Sequence, residues 1–411
     1  MPYYENVFAV VDLGGSLMHV ANRQPIYLDF NASTPLAPEV ANAMERVLRN
    51  PFGNPSSDHW AAHPAQEAVD KARVQVANLL RCKPHEIVFT SGGSESNNHA
   101  LKGVFYAYGR TGAHIITSQV EHPAIMNPCR FLERLGAEVT YLPVDGLGRI
   151  DPDDAMRAIT SRTVLISIMH ANNEVGTIQP ITDIARIARE HGILFHTDAA
   201  QSVGKISTRV DELGVDLLSI AGHKLYGPKG IGALYLRDGV QLESLIHGAG
   251  HESGRRAGTE NVLLDVGLGV ACALAENWIG MEAVRELRDL LWNSLQDQFG
   301  PRVVLNGHLT ERLPNTLNVS FVGKVGSEIL ARMEGVAAST GSACHAGSVQ
   351  LSPVLKAMKI APEIGMGALR FSLGRTTTRD EIVAASSLLS NAVSSRRSRV
   401  FPPEPNRSMR A

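Results

Sequence analysis

Seven short apolar runs, separated by stretches of helical periodicity, restrict this chain more than any other feature of it. They are Ile87–Thr90, His114–Ser118, Val139–Leu142, Val164–Ile168, Ile193–Asp198, Leu217–Ala221 and Ala233–Leu236. Each is too short for a core helix and is continuous rather than alternating, the pattern of a strand buried on both faces. Amphipathic segments such as Ile181–Glu190 fill most of the intervals. The chain therefore reads as α/β, with a mainly parallel seven-stranded sheet flanked by helices. Sheets of this kind bind ligands beyond the carboxyl ends of their strands, so the residues just past each run carry the chemistry.

Ahead of the sheet, Ile26–Phe30 reads as the first ordered stretch, followed by a turn-rich NASTP segment, helices at Leu36–Arg49 and Pro64–Leu80, and a loop at Pro51–Ser57. The pattern changes after residue 262. A helical stretch, Val262–Phe299, leads to short strands near Val303–Asn306 and Thr316–Phe321. A Gly/Ser/Ala-rich loop around Cys344, a strand at Ala368–Leu373 and a helix from Thr378 follow. At 411 residues two domains are expected. The large one spans 25–262, its first residues able to pack on the smaller α/β domain at 263–393. Residues 1–24 read as an extension, and the polar, proline-bearing 394–411 as a disordered tail.

Composition excludes several classes. A formal net charge of −2, with basic residues scattered and 5% aromatics, leaves neither a basic face nor a stacking platform for nucleic acid. No apolar run reaches the roughly 18 residues of a membrane span, and no positive region precedes the apolar patch near the N-terminus. Cys82, Cys129, Cys272 and Cys344 form no CxxC pair, which argues against zinc or disulfides and for a reducing cytoplasm. His247 and His251 have ligand spacing, but Gly248 and Gly250 between them suggest a loop. No metal is expected.

The strand ends carry polar groups. Past the first run, Ser91-Gly92-Gly93-Ser94 opens a helix, where free amides and a hydroxyl suit a phosphate, although a plain capping turn looks the same. Glu121-His122-Pro123 follows the second run, and His170-Ala171-Asn172-Asn173-Glu174 the fourth. The fifth ends on Asp198, costly at a buried strand end unless paired with a cation such as a pyridinium nitrogen. The sixth leads to Gly222-His223-Lys224, a lysine where desolvation lowers the pKa and frees the amine for a Schiff base. Aspartate, then lysine past the next strand, with a glycine–hydroxyl turn upstream, is the arrangement expected for pyridoxal 5'-phosphate.

From about Ile26 to Leu389 the chain resembles the NifS-like class V branch of fold-type I pyridoxal-phosphate enzymes, the cysteine desulfurases and selenocysteine lyases. The likeness rests on LDFNASTP, GNPSS, FTSGGSESNN, EHPA, ANNEVG, HTDAAQSVGK, GHKLYGPKGIGALY, RRAGTEN, GSACHAG and LRFSLGRTTT. The resemblance implies that Lys224 bonds the cofactor and moves the α-proton, that His122 stacks on the ring, and that Asp198 pairs with its nitrogen. It implies Gln201 on the ring oxygen, and Gly93, Ser94 and His223 at the phosphate. Thr259 would reach that phosphate across a homodimer interface, and Asn173 and Arg370 would hold the substrate carboxylate. Many desulfurases have a phosphate-binding serine where this chain has Ala221; with LSPVL after the cysteine loop, that departure is more like selenocysteine lyases.

Cys344 lies among small residues that permit motion, Ser339 to Gly347, and matches the family's catalytic loop. The expectation is a desulfurase that turns L-cysteine into L-alanine and passes sulfur, as a persulfide on Cys344, to a protein acceptor. A lyase acting on L-selenocysteine is the alternative. A related aminotransferase or a non-catalytic sulfur-transfer scaffold ranks lower. Neither acceptor nor pathway, iron–sulfur cluster assembly among them, can be read from these residues.

Overall fold

The computed structural model describes residues 25–109, 113–340, 342–345 and 348–394. The extension at 1–24 and residues 395–411 of the expected tail lie outside the described residues. Seven strands form the main sheet: β1 (Ile87–Thr90), β2 (His114–Ser118), β3 (Glu138–Leu142), β4 (Thr163–Ser167), β5 (Leu194–Asp198), β6 (Leu217–Ala221) and β7 (Gly232–Leu236). Their spatial order is β1-β7-β6-β5-β4-β2-β3. Only β7 runs against the others, pairing antiparallel with β1 and β6. The parallel strands thus end on one side, and the polar residues past them converge there.

The longer helices are α1 (Pro38–Arg49), α2 (His63–Leu80), α3 (Gly93–Tyr108), α4 (Pro123–Glu133), α5 (Ile181–Glu190), α6 (Val262–Ala275), α7 (Glu282–Phe299) and α8 (Arg379–Ser394). In α5, Ile181, Ile184, Ala185, Ile187 and Ala188 are buried, the stripe an amphipathic helix lays on a sheet. One sheet face is covered by α3 and α4 through Leu101, Val104, Ile125 and Leu132. The other is covered by α2, α5 and α6 through Val76, Ile184 and Leu268. Gly232 is required where β1, β6 and β7 crowd together: a Cβ there would stand 2.4 Å from the Ile220 carbonyl oxygen and 2.7 Å from Gly92.

The stretch expected as one helical run, Val262–Phe299, is broken before Glu282, where Gly280 and Met281 take left-handed φ of 94° and 41°. The break separates two cores. Helix α6 packs in the core of the main sheet, whereas α7 lies in a second core with α8. That second core takes in α7 and α8. Ile26 and Leu28 also belong to it. Its antiparallel sheet, in the order β10-β13-β9-β8, consists of β8 (Val303–Asn306), β9 (Thr316–Phe321), β10 (Ser339–Thr340) and β13 (Ala368–Ser372). Between β10 and β13 stands a hairpin, β11 (Ser342–His345) with β12 (Ser348–Leu351). Within the stretch expected as a loop around Cys344, Ser342–His345 is paired strand, while Gly341, Ala346 and Gly347 lie outside the described residues.

Candidate active site

Lys224 ends the single helical turn that follows β6. The segment expected merely as turn-rich wraps it. Thr34 donates its amide and hydroxyl to the His223 carbonyl at 2.9 and 3.0 Å, and its oxygen accepts the Tyr226 amide at 2.8 Å. The Lys224 Nζ donates to the carbonyls of Asn31 at 2.6 Å and Ala32 at 2.8 Å. Burial pushes the Lys224 amine down to about 8; the Arg370 charge acts the same way, and Asp29 and Asp198 oppose it. Such an amine is a far better nucleophile near neutrality than an exposed lysine.

Asp198 closes β5 and is buried. Its Oδ2 accepts Asn97 Nδ2 at 2.7 Å and its Oδ1 the Ala200 amide at 2.9 Å, so the carboxylate is oriented with lone pairs to spare. Beneath it, His196 bridges Ser167 and Ser219 at 2.8 and 2.9 Å across three strands. Burial pushes His196 down to about 3, so this bridge is neutral. His122 caps α4: its Nδ1 accepts the Ala124 amide at 3.1 Å. The nitrogen that accepts carries no proton, which places the proton of the neutral ring on Nε2. The residue faces solvent on a wall crowded by protein, and that desolvation lowers its pKa, with Asp198 raising it and Lys224 lowering it.

At Gly93 the first amides of α3 lack any side-chain cap, and Ser94 is exposed beside them. Glu95, the acid of this first turn, is neutralised by Arg256 at 2.9 Å and folds back onto the Ser91 amide. The helix end is thus left free for an anion. A Cβ on Gly93 would lie 3.2 Å from that of Ala221, so β6 supplies methyl contact and no hydroxyl at this point. His223 is half-buried nearby, its pKa brought down to about 4 first by burial and then by Lys224 and Lys229. Thr259 is exposed, in a loop that Arg256 ties to α3 of the same chain.

Arg370, on β13 and buried, donates to Asn173 O at 3.0 Å, Asp29 Oδ1 at 2.6 Å and Ser339 Oγ at 3.0 Å. Its Nε–H has no partner among the described residues, an incompletely satisfied guanidinium of the kind an anion completes. Gln201 donates to Asn31 O at 2.9 Å and accepts from Lys205 at 2.9 Å, which leaves one N–H of its amide for a ligand. In register, Ser339 lies opposite Arg370, and the hairpin carrying Cys344 follows directly. By contrast, burial raises the thiols of Cys82 and Cys129 to about 12 and Cys272 further still. Among the described residues no group of three His, Cys, Asp or Glu side chains is placed to hold a metal. None of their helices is long and apolar enough to cross a membrane.

Sequence reasoning assigned no role to Asn97, Asp29, Asn31 or Lys205. Their signal was present but weak: polar residues within or beside apolar stretches, each buried in the fold or paired with a group that is. Glu121 is a further case. Its Oε1 accepts Ser118 Oγ and the Met169 amide, its Oε2 has no partner among the described residues, and burial pushes it up to about 8. Between its unfolded pKa and about 8 the folded chain holds the extra proton, so this group's contribution to stability is full at low pH and is lost as pH rises through 8. Glu121→Gln should therefore gain on the parent, by on the order of a few kcal/mol, between pH 5 and pH 9. Melting curves of the two proteins at both pH values check this; a pH-independent difference refutes it.

The aminotransferase class-V family matches residues 26–384. The chain is 50% identical over 364 residues to a cysteine desulfurase IscS of Dictyoglomus turgidum, covering 88% of this chain and 92% of that one. It is 47% identical over 365 residues to one of Escherichia coli O139:H28, covering 87% and 90%. Among solved structures, a NifS-like protein superposes with a TM-score of 0.85 at 36% identity, over 90% of this chain and all of that one (100%). A structure described as SspA in complex with cysteine does so with 0.77 at 41%, over 85% and 98%. With this geometry and these matches, the chain belongs to the aminotransferase class-V family, in its NifS-like branch.

Proposed function

We propose that the protein is a pyridoxal-phosphate-dependent cysteine desulfurase, converting L-cysteine to L-alanine and passing sulfur from Cys344 to a protein acceptor. The observation that carries the reading is the convergence of Asp198, His122 and Arg370 near a Lys224 amine held by the Asn31 and Ala32 carbonyls. The residues fit the cofactor. The uncapped amides at Gly93 with Ser94 and His223 suit its phosphate, Asp198 suits its ring nitrogen, and the spare Gln201 N–H suits its ring oxygen. Thr259, exposed on its loop, would complete the phosphate site of a second copy in a homodimer.

Bound there, pyridoxal phosphate supplies an electron sink for the bond broken at the substrate's Cα. Lys224 would hold it through Nζ and would carry the α-proton on that atom. Asp198 would keep the ring nitrogen protonated, and His122, its Nε2–H free, would be the group beside the ring to exchange a proton. Arg370 and Asn173 hold the carboxylate, which sets the Cα–H bond against Lys224. The Cys344 thiolate attacks the substrate sulfur; that sulfur leaves carbon as a persulfide, and carbon keeps the electron pair and gains a proton to become alanine.

Ala221 supports a second reading, selenocysteine lyase, since the family hydroxyl is missing at the phosphate. The experiment is alanine formation by the purified protein offered L-cysteine and L-selenocysteine separately. Turnover of cysteine supports the desulfurase. Turnover of selenocysteine alone selects the lyase, and no alanine from either overturns both.

A further inference from the structure

Asn31 joins several parts of this site. It is 1% exposed and sits between the two cores. Its carbonyl accepts both Lys224 Nζ at 2.6 Å and Gln201 Nε2 at 2.9 Å. Its side-chain oxygen accepts Asn315 Nδ2 at 3.0 Å and Lys205 Nζ at 3.4 Å. Its side-chain nitrogen donates to Thr316 Oγ1 at 2.8 Å and Asn173 O at 3.3 Å, and its amide to Ser372 Oγ at 2.9 Å. One residue thus ties the lysine turn, the segment after β5, and β9 and β13 of the second core. The Asn173 carbonyl that it touches is the one that Arg370 also holds.

We propose that Asn31 is a positioning residue: its carbonyl, with that of Ala32, is the seat that receives the Lys224 amine whenever the amine is not bonded to the cofactor. Two carbonyl acceptors and no donor favour the ammonium over the neutral amine. The side chain of Asn31 does not touch Lys224. It braces the carbonyl by satisfying buried groups on both cores, and a brace of four side-chain bonds keeps the seat in place while the amine is away. Other charges facing the amine are Arg370, which disfavours the ammonium, and Asp29 and Asp198, which favour it; His122 is near enough to feel it. Lys205, buried and brought down to about 7 first by burial and then by Lys224 and Arg370, is a further neighbour.

A seat for the ammonium competes with bonding to the cofactor. Transfer of the cofactor from Lys224 to a substrate amine is helped by it, because the two carbonyls accept the N–H groups of the released lysine, while burial and Arg370 keep part of that lysine neutral and able to take the α-proton. Every capture of free cofactor is opposed by it, and only at pH values where the seated amine is protonated. This sign is opposite to that of a merely structural residue, whose loss would weaken capture at all pH values.

The inference rests on the proposed cofactor, and the test separates the two. Apo-protein is mixed with pyridoxal phosphate, and the yellow absorbance of the lysine-bound form is followed from pH 6.5 to 9.5, with Lys224→Ala as the blank. Asn31→Ala should capture the cofactor about 3- to 10-fold more tightly than the parent at pH 7, with the gain shrinking towards pH 9.5. Thr316→Val, which removes one brace, should show the same trend more weakly, and it keeps the test available should Asn31→Ala not fold. Equal or weaker capture at pH 7, or a gain that does not vary with pH, overturns the seat. A parent that never turns yellow refutes the cofactor instead.

Discussion

Lys224→Ala is expected to lower alanine formation from L-cysteine by at least about 10³-fold, the scale of losing both a nucleophile and a proton carrier. No neighbour can substitute. Lys205 is the other buried amine of the cluster, but its Nζ is engaged by Gln201 at 2.9 Å and Asn31 at 3.4 Å. His122 is held by its cap on α4 and offers a ring nitrogen, which cannot form the imine. The fold should survive, since the change removes two hydrogen bonds from a half-buried side chain, worth roughly 1 kcal/mol each. A melting temperature within a few degrees of the parent, beside the lost activity and lost yellow colour, separates chemistry from unfolding. Normal alanine production by the variant would sink the assignment of Lys224.

Cys344→Ala is expected to divide the two substrates. Cysteine turnover should fall at least about a hundredfold, because the Cβ–S bond breaks only when a nucleophile takes the sulfur. Selenocysteine turnover should fall less than about tenfold by the same measure, since its C–Se bond is weaker and selenide can leave unassisted. The remaining thiols cannot stand in. Cys129 and Cys272 are fully buried, and Cys82 is partly covered with its thiol raised to about 12. Single-turnover alanine yield from each substrate checks the division. Equal retention of both activities would remove Cys344 from the mechanism, and equal loss would make it structural.

Much of the fold was legible in the sequence. The seven apolar runs correspond to the seven strands within a residue or two, because a strand buried on both faces writes its signal locally. The ends of those strands placed Asp198, His122 and Lys224 together for the same reason: a parallel sheet brings its carboxyl ends to one side whatever the order of its strands. What failed was what depends on distant partners. Helical periodicity cannot show which core a helix faces, so α6 reads as continuous with α7 although a left-handed Met281 divides them. Small residues around Cys344 read as a loop, whereas Ser342–His345 pairs across strands with Ser348–Leu351.

The sequence by itself determined the α/β class, the parallel sheet and the chemistry waiting at its strand ends, since each follows from residues close together in the chain. Only the tertiary structure decided what holds that chemistry in place. Asp29 reaches Arg370 across 341 positions, Asn97 reaches Asp198 across 101, and Asn31 reaches Lys224 across 193. No local pattern encodes such pairs. They exist because packing two cores together buries polar groups that must then find one another, and an unpaired one would cost more than the contact gains.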